Sequence, residues 1–120
     1  MHFFLLSDTQ VFAGEMLDVA ILSLLSFFVR IRLHESLHIT ISSDSKDSSV
    51  FVYIDSIGNE MPGEVRDFLE DHTIPHTPSL ELDLYVARTI MEHFGGTIKY
   101  QRLHESKTNR FILELEKDSE

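Results

Sequence analysis

Between Leu80 and Phe94, the apolar residues Leu80, Leu84, Ala87, Met91 and Phe94 recur at helical spacing. Gly95-Gly96 then breaks the run, and Ile98 and Tyr100 follow in alternation with polar neighbours. A helix of this kind has one apolar stripe and a strand of this kind one apolar face, and each has to be covered by another element. A fold built on this segment must therefore lay the helix across a sheet. Thr77 and Pro78 supply a cap and a first helical position upstream. Downstream, Phe111, Leu113 and Leu115 alternate beyond a turn at His104 to Thr108, which predicts a closing hairpin.

The rest of the chain supplies the partners. His2 to Leu6 reads as a short strand, and Glu15 to Arg32 as a helix that is apolar on nearly all sides. Such a helix is either sandwiched in a core or half-shared with another subunit. Leu37, Ile39 and Ile41 alternate with polar residues. Ser42 to Ser49 reads as a polar turn, and Val50 to Ile54 as a central strand, so the two strands form a hairpin. Asp55 to Pro62 is expected as a loop, Gly63 to Asp71 as a short helix with Val65, Phe68 and Leu69 inward, and Thr73 to Pro78 as a second loop. The order predicts an α/β (α+β) two-layer sandwich: a mixed, mostly antiparallel five-stranded sheet with three helices on one face. It is expected as one domain over residues 1–120.

Charge and composition exclude several functions. A formal net charge of −10 argues against binding nucleic acid by phosphate neutralisation, and equally against an anionic membrane. With no cysteine there is no disulfide framework and no thiol nucleophile, which fits a cytoplasmic setting. The most apolar run, Val19 to Val29, is 11 residues long, against the roughly 20 that a membrane helix needs. No small-residue cleavage site follows a basic start, as a signal peptide would require.

From Glu92 to Ile98 the chain reads Glu-His-Phe-Gly-Gly-Thr-Ile, and its last apolar strand reads Phe111-Ile112-Leu113-Glu114-Leu115. With the helix before them, these resemble the ATPase domains of histidine kinases, the superfamily often called the Bergerat fold. The resemblance extends over nearly the whole chain. It implies an ATP site built from three boxes, and each box departs here from the family pattern. On the long helix, the family's Asn-Leu-Leu-x-Asn-Ala is matched by Ser23-Leu24-Leu25-Ser26-Phe27-Phe28. A hydroxyl at Ser23 and a phenyl ring at Phe27 thus stand for the two amides that serve Mg²⁺ and phosphate. A phenyl ring offers no hard oxygen ligand. In the second box, Asp-x-Gly-x-Gly, Asp55 stands where the family's adenine-binding carboxylate is expected, but Ile57 and Asn59 replace the glycines. The segment up to Leu80 is too short for the family's mobile lid.

In the third box, Gly-Leu-Gly-Leu, Glu81 and Asp83 occupy the glycine positions. In the family those glycines let backbone amides close on the phosphates. Two unit charges about 5 Å apart at an effective dielectric near 20 repel by roughly 3 kcal/mol. The resemblance therefore implies a histidine-kinase scaffold with a degenerate pocket at Ser23, Phe27, Asn59, Glu81 and Asp83, and with Asp55 the adenine contact only if nucleotide binds. No cofactor is expected, ATP and Mg²⁺ being disfavoured, and no metal.

Two shorter motifs are coincidental. His34-Glu35-Ser36-Leu37-His38 matches the zinc-protease pattern, but that chemistry needs both imidazoles on one helix face. In a strand they stand roughly 13 Å apart. His104-Glu105-Ser106-Lys107-Thr108 resembles the phosphoacceptor motif of histidine kinases, yet it falls in a hairpin turn and not on a long dimerising helix.

The function expected from these residues is a non-catalytic, kinase-like interaction or regulatory module in two-component-type signalling. Its partner would be a response regulator or a kinase, with self-association through Val19 to Val29. The alternative is an ATP- or ADP-binding kinase or phosphotransfer domain with non-standard boxes.

Overall fold

Alternation along the strands decides where the core lies. The computed structural model describes residues 14–31, 38–71 and 78–116. In β2 (Ser49–Ile57), Val50, Val52, Ile54 and Ser56 are buried, and the residues between them are partly or fully exposed. In β4 (Thr108–Glu116) the inward set is Asn109, Phe111, Leu113 and Leu115. These two central strands pair antiparallel, with Val52 opposite Leu113 and Ser56 opposite Asn109. β1 (Ile39–Lys46) flanks β2 and β3 (Thr97–Leu103) flanks β4, giving the order β1-β2-β4-β3.

The predicted α+β sandwich is the observed one. Three helices, α1 (Gly14–Ile31), α2 (Gly63–Asp71) and α3 (Pro78–His93), join a sheet whose three pairings are all antiparallel. Four strands are found among the described residues, not five, and no parallel pairing. The strand expected over His2 to Leu6 lies outside them.

The first hairpin is longer than expected. β1 continues through the serine-rich segment to Lys46, and only Asp47 and Ser48 turn the chain. Asp47 takes a positive φ of 51°, a conformation that Asp tolerates better than most residues. β2 likewise continues to Ile57, so Asp55 is a strand residue and not the first residue of a loop.

The helices cover the inward face. Leu17, Ala20, Ile21, Leu24, Phe27 and Phe28 of α1 are buried with Leu84, Ala87, Ile90 and Met91 of α3. α1 is indeed apolar on both sides, but among the described residues only one side is covered. Met16, Val19, Leu22 and Val29 are exposed. No described helix is long and apolar enough to cross a membrane.

The Gly pair after α3 works as its spacing suggested. Gly95 has a φ of +74°, and the Gly96 amide donates to the Met91 carbonyl at 2.7 Å, closing the helix end. Gly96 has a second constraint. A Cβ there would collide with the Glu114 carbonyl oxygen and stand 2.8 Å from a Leu115 methyl. Helix and sheet meet too closely at this point for any side chain.

Candidate functional site

One end of the inward sheet face is polar. Ser56 and Asn109, opposite one another in register, are buried at positions where the strand pattern would otherwise place apolar residues. Asn109 is wholly buried and organises its surroundings. Its amide nitrogen donates to the Asn59 carbonyl at 2.8 Å. Its oxygen accepts from the Tyr100 hydroxyl at 2.6 Å and from Arg102 Nη1 at 3.2 Å. The same Arg102 nitrogen donates to the Gly58 carbonyl at 2.6 Å. The Met61 amide donates to the Tyr100 oxygen at 3.3 Å, and the Gly58 amide to the Lys107 carbonyl at 2.9 Å.

The loop leaving β2 is therefore laced to the β3–β4 hairpin at Gly58, Asn59 and Met61. Such a network rigidifies its surroundings when its members are satisfied. Burial, and to a lesser degree Glu60, raises the Tyr100 pKa above 10.0, while the Met61 amide, Arg102 and Arg66 oppose the rise.

Above this polar end the space between helix and sheet is filled by rings. Phe27 and Phe28 lie 5.9 and 5.2 Å from Phe111, centroid to centroid, and Phe111 lies 6.1 Å from Tyr100. Phe27 and Phe111 are fully buried. Their edge-on contact suits the positive rim and negative face of aromatic rings.

Asp55 faces the other way. The pleat puts it on the sheet face turned from the helices, where Arg110 Nε and Nη2 donate to its two oxygens at 2.8 and 2.9 Å. The Arg110 guanidinium also lies 4.6 Å from the centre of the Tyr53 ring. The Asp55 hydrogen bond raises the Arg110 pKa further above its ordinary value, against the effect of partial burial. Continuation of β2 past Ile54 is the physical cause of this orientation. A strand alternates faces at every residue, so the one after an inward Ile54 must point outward.

The other sequence-predicted residues divide as follows. Ser23 is half-buried on α1 and Phe27 is core. The Asn59 side chain is exposed, and its carbonyl belongs to the polar lacing. Glu81 lies in the first turns of α3, and its side chain falls outside the described set. Asp83 is buried between α1 and α3, with Arg30 Nε 3.3 Å from its Oδ2. That approach is an ion pair without hydrogen-bond alignment, and Oδ2 has no aligned donor among the described residues.

Phe27 and the Asn59 backbone thus border one contiguous region through Phe111 and Tyr100, whereas Asp55 stands apart from it. Of the histidine-rich motifs, residues 34–37 lie outside the described set. His38 is exposed ahead of β1, and His104 opens the β3–β4 turn. No group of three or more His, Asp or Glu among the described residues is arranged to hold a metal.

No sequence motif marks Ser56, Tyr100, Arg102 or Asn109 as a site residue. The signal for two of them is visible in retrospect. Val50, Val52 and Ile54 set an inward phase that Ser56 continues, and Leu115, Leu113 and Phe111 set one that Asn109 continues. A polar residue in phase with a buried face has to find partners.

With this geometry in view, the architecture is that of the ATPase (catalytic) domains of histidine kinases. The sensor kinase MprB from mycobacteria superposes with a TM-score of 0.66 at 14% identity, over 85% of this chain and 70% of that one. Acinetobacter baumannii AdeS superposes with a TM-score of 0.63 at 20% identity, over 87% of this chain. The nucleotide-free catalytic domain of ThkA superposes with a TM-score of 0.59 at 24% identity, over 82% of this chain. The chain spans about half the length of the AdeS chain and about two thirds of the ThkA one (47% and 66%). No protein-family model and no curated protein matches it.

Proposed function

We propose that this chain is a non-catalytic member of the histidine-kinase-like architecture. In this role it serves as a protein-interaction or regulatory module in two-component-type signalling, with a response regulator or a kinase as partner. The observation that carries the proposal is the fully buried Phe27, locked against Phe28 and Phe111. Phe27 stands where the related scaffold is expected to offer an amide to metal and phosphate. Asp83, at one of the expected glycine positions of the third box, is buried where α1 meets α3 and is ion-paired to Arg30. On this reading the scaffold is kept while the polar ligand expected at position 27 is replaced by a core ring.

A second reading, an ATP- or ADP-binding domain with non-standard boxes, is favoured by the polar end of the sheet. Ser56 and Asn109 are buried there beside the Gly58–Met61 loop. Adenine recognition at that place would fall to them and not to Asp55, which Arg110 holds on the opposite face.

Isothermal titration with ATP and ADP, with and without Mg²⁺, tests both. Absence of heat up to millimolar nucleotide is the expected result. Micromolar binding, lost in an Asn109→Leu variant that still folds, would replace the first reading by the second.

A further inference from the structure

The open side of α1 is self-complementary, and we infer that it pairs antiparallel with the same side of a second copy of this chain. Val19, Leu22, Ser26 and Val29 share the side of the helix opposite the buried Leu24, with Leu25 at its edge, partly buried against the core. Val19, Leu22 and Val29 are 40%, 42% and 45% exposed. Leu22, Leu25, Ser26, Val29 and Arg30 line a groove of about 270 Å³, floored by the one small side chain in the set, Ser26.

Placing a two-fold axis at the level of Leu24 sets Leu22 of one copy over Ser26 of the other, so that a large side chain enters the groove at its shallowest residue. The same operation sets Val19 against Val29. It also brings the exposed Asp18 to the level of Arg30, whose half-exposed guanidinium already pairs with Asp83 of its own chain. Every pairing occurs twice, as an isologous interface requires.

A parallel pairing does none of this. It would stack Asp18 on Asp18 and Arg30 on Arg30, and would leave both Ser26 grooves facing each other. Antiparallel packing also lays the positive end of each helix dipole beside the negative end of the other. The stripe is short, which places the dimer among the small interfaces. This surface goes beyond the functional proposal and is independent of whether nucleotide binds, since hydrodynamic mass reads one and nucleotide heat the other.

Sedimentation equilibrium of the whole chain from about 5 to 500 µM, at about 0.15 M salt where long-range repulsion between acidic copies is screened, tests it. The expected weight-average mass rises from one chain toward two. Leu22→Glu is expected to weaken association at least tenfold, with no change in melting temperature at low concentration. The absence of native cysteine permits a register test. Val19 and Val29 stand about 15 Å apart along the axis, so Val19→Cys chains mixed with Val29→Cys chains should give the mixed disulfide far ahead of either symmetric one.

Three results would overturn the inference. The first is a monomer throughout the concentration range, and the second is a Val19→Cys chain that cross-links to itself as readily as to Val29→Cys. The third is a lowered melting point for monomeric Leu22→Glu, which would mean that the stripe is packed within its own chain.

Discussion

Arg110 clasps both oxygens of Asp55 across the β2–β4 pair, on the sheet face that the helices leave open. The pair is mostly shielded, with side-chain exposures of 26% and 17%, and its fork geometry fixes both partners. Asp55→Asn is expected to lower stability by about 1 kcal/mol, as for a partly exposed ion pair of good geometry, and to leave any nucleotide affinity unchanged. Urea denaturation and calorimetry on the same variant check the two halves.

Phe27 carries the opposite prediction. Phe27→Ala removes a fully buried ring that touches Phe28 and Phe111, and is expected to cost roughly 3–5 kcal/mol. Phe27→Asn, which restores an amide, is expected to cost at least as much, because the amide would be buried among rings without a partner. Denaturant midpoints would order the two variants.

Tyr100 predicts a one-sided pH dependence. Its pKa is raised in the folded state by burial, so the folded chain keeps a proton that the unfolded chain loses. The stabilisation is whole below pH 10 and declines as pH rises through the higher folded value. Tyrosinate cannot donate to Asn109, which gives the loss its structural cause. Tyr100→Phe is expected to cost about 1 kcal/mol at neutral pH and to flatten the alkaline limb. Melting temperatures from pH 7 to 11 would show it, alongside ultraviolet titration of the three tyrosines.

The paired glycines separate strain from crowding. At Gly95 a Cβ meets nothing within 4 Å, and only the positive φ opposes substitution, so Gly95→Ala should cost about 1–2 kcal/mol. Gly96→Ala drives a methyl into the backbone of β4. Its cost should be the larger, about 3 kcal/mol or more for an overpacked site that must shift backbone. Thermal melts of the two variants should rank Gly96→Ala below Gly95→Ala.

Periodicity made the large elements legible. The helical stripe from Leu80 to Phe94, the Gly95-Gly96 stop and the alternation from Phe111 to Leu115 each express one dominant local preference, and α3 and β4 follow them. The hairpin of β1 and β2 is longer than its sequence suggests, because serine-rich sequence looks like a turn. Cross-strand pairing with β2 overrode that weak local preference along Ser42 to Lys46. The same extra length sets the Asp55 side chain on the face turned from the helices, since the residue after an inward Ile54 points outward in a strand. The polar lacing was hidden for another reason. Tyr100, Arg102 and Asn109 belong to one hairpin, but their partners lie 39 to 50 residues earlier in the chain, and no local pattern records such a meeting.

Because Tyr100, Arg102 and Asn109 all spring from one hairpin, the segment after β2 has no separate hinge of its own. It can open only by giving up four hydrogen bonds to the C-terminal third of the molecule, or by carrying that third along. This end of the protein is thus built to behave as a solid corner and not as a flap.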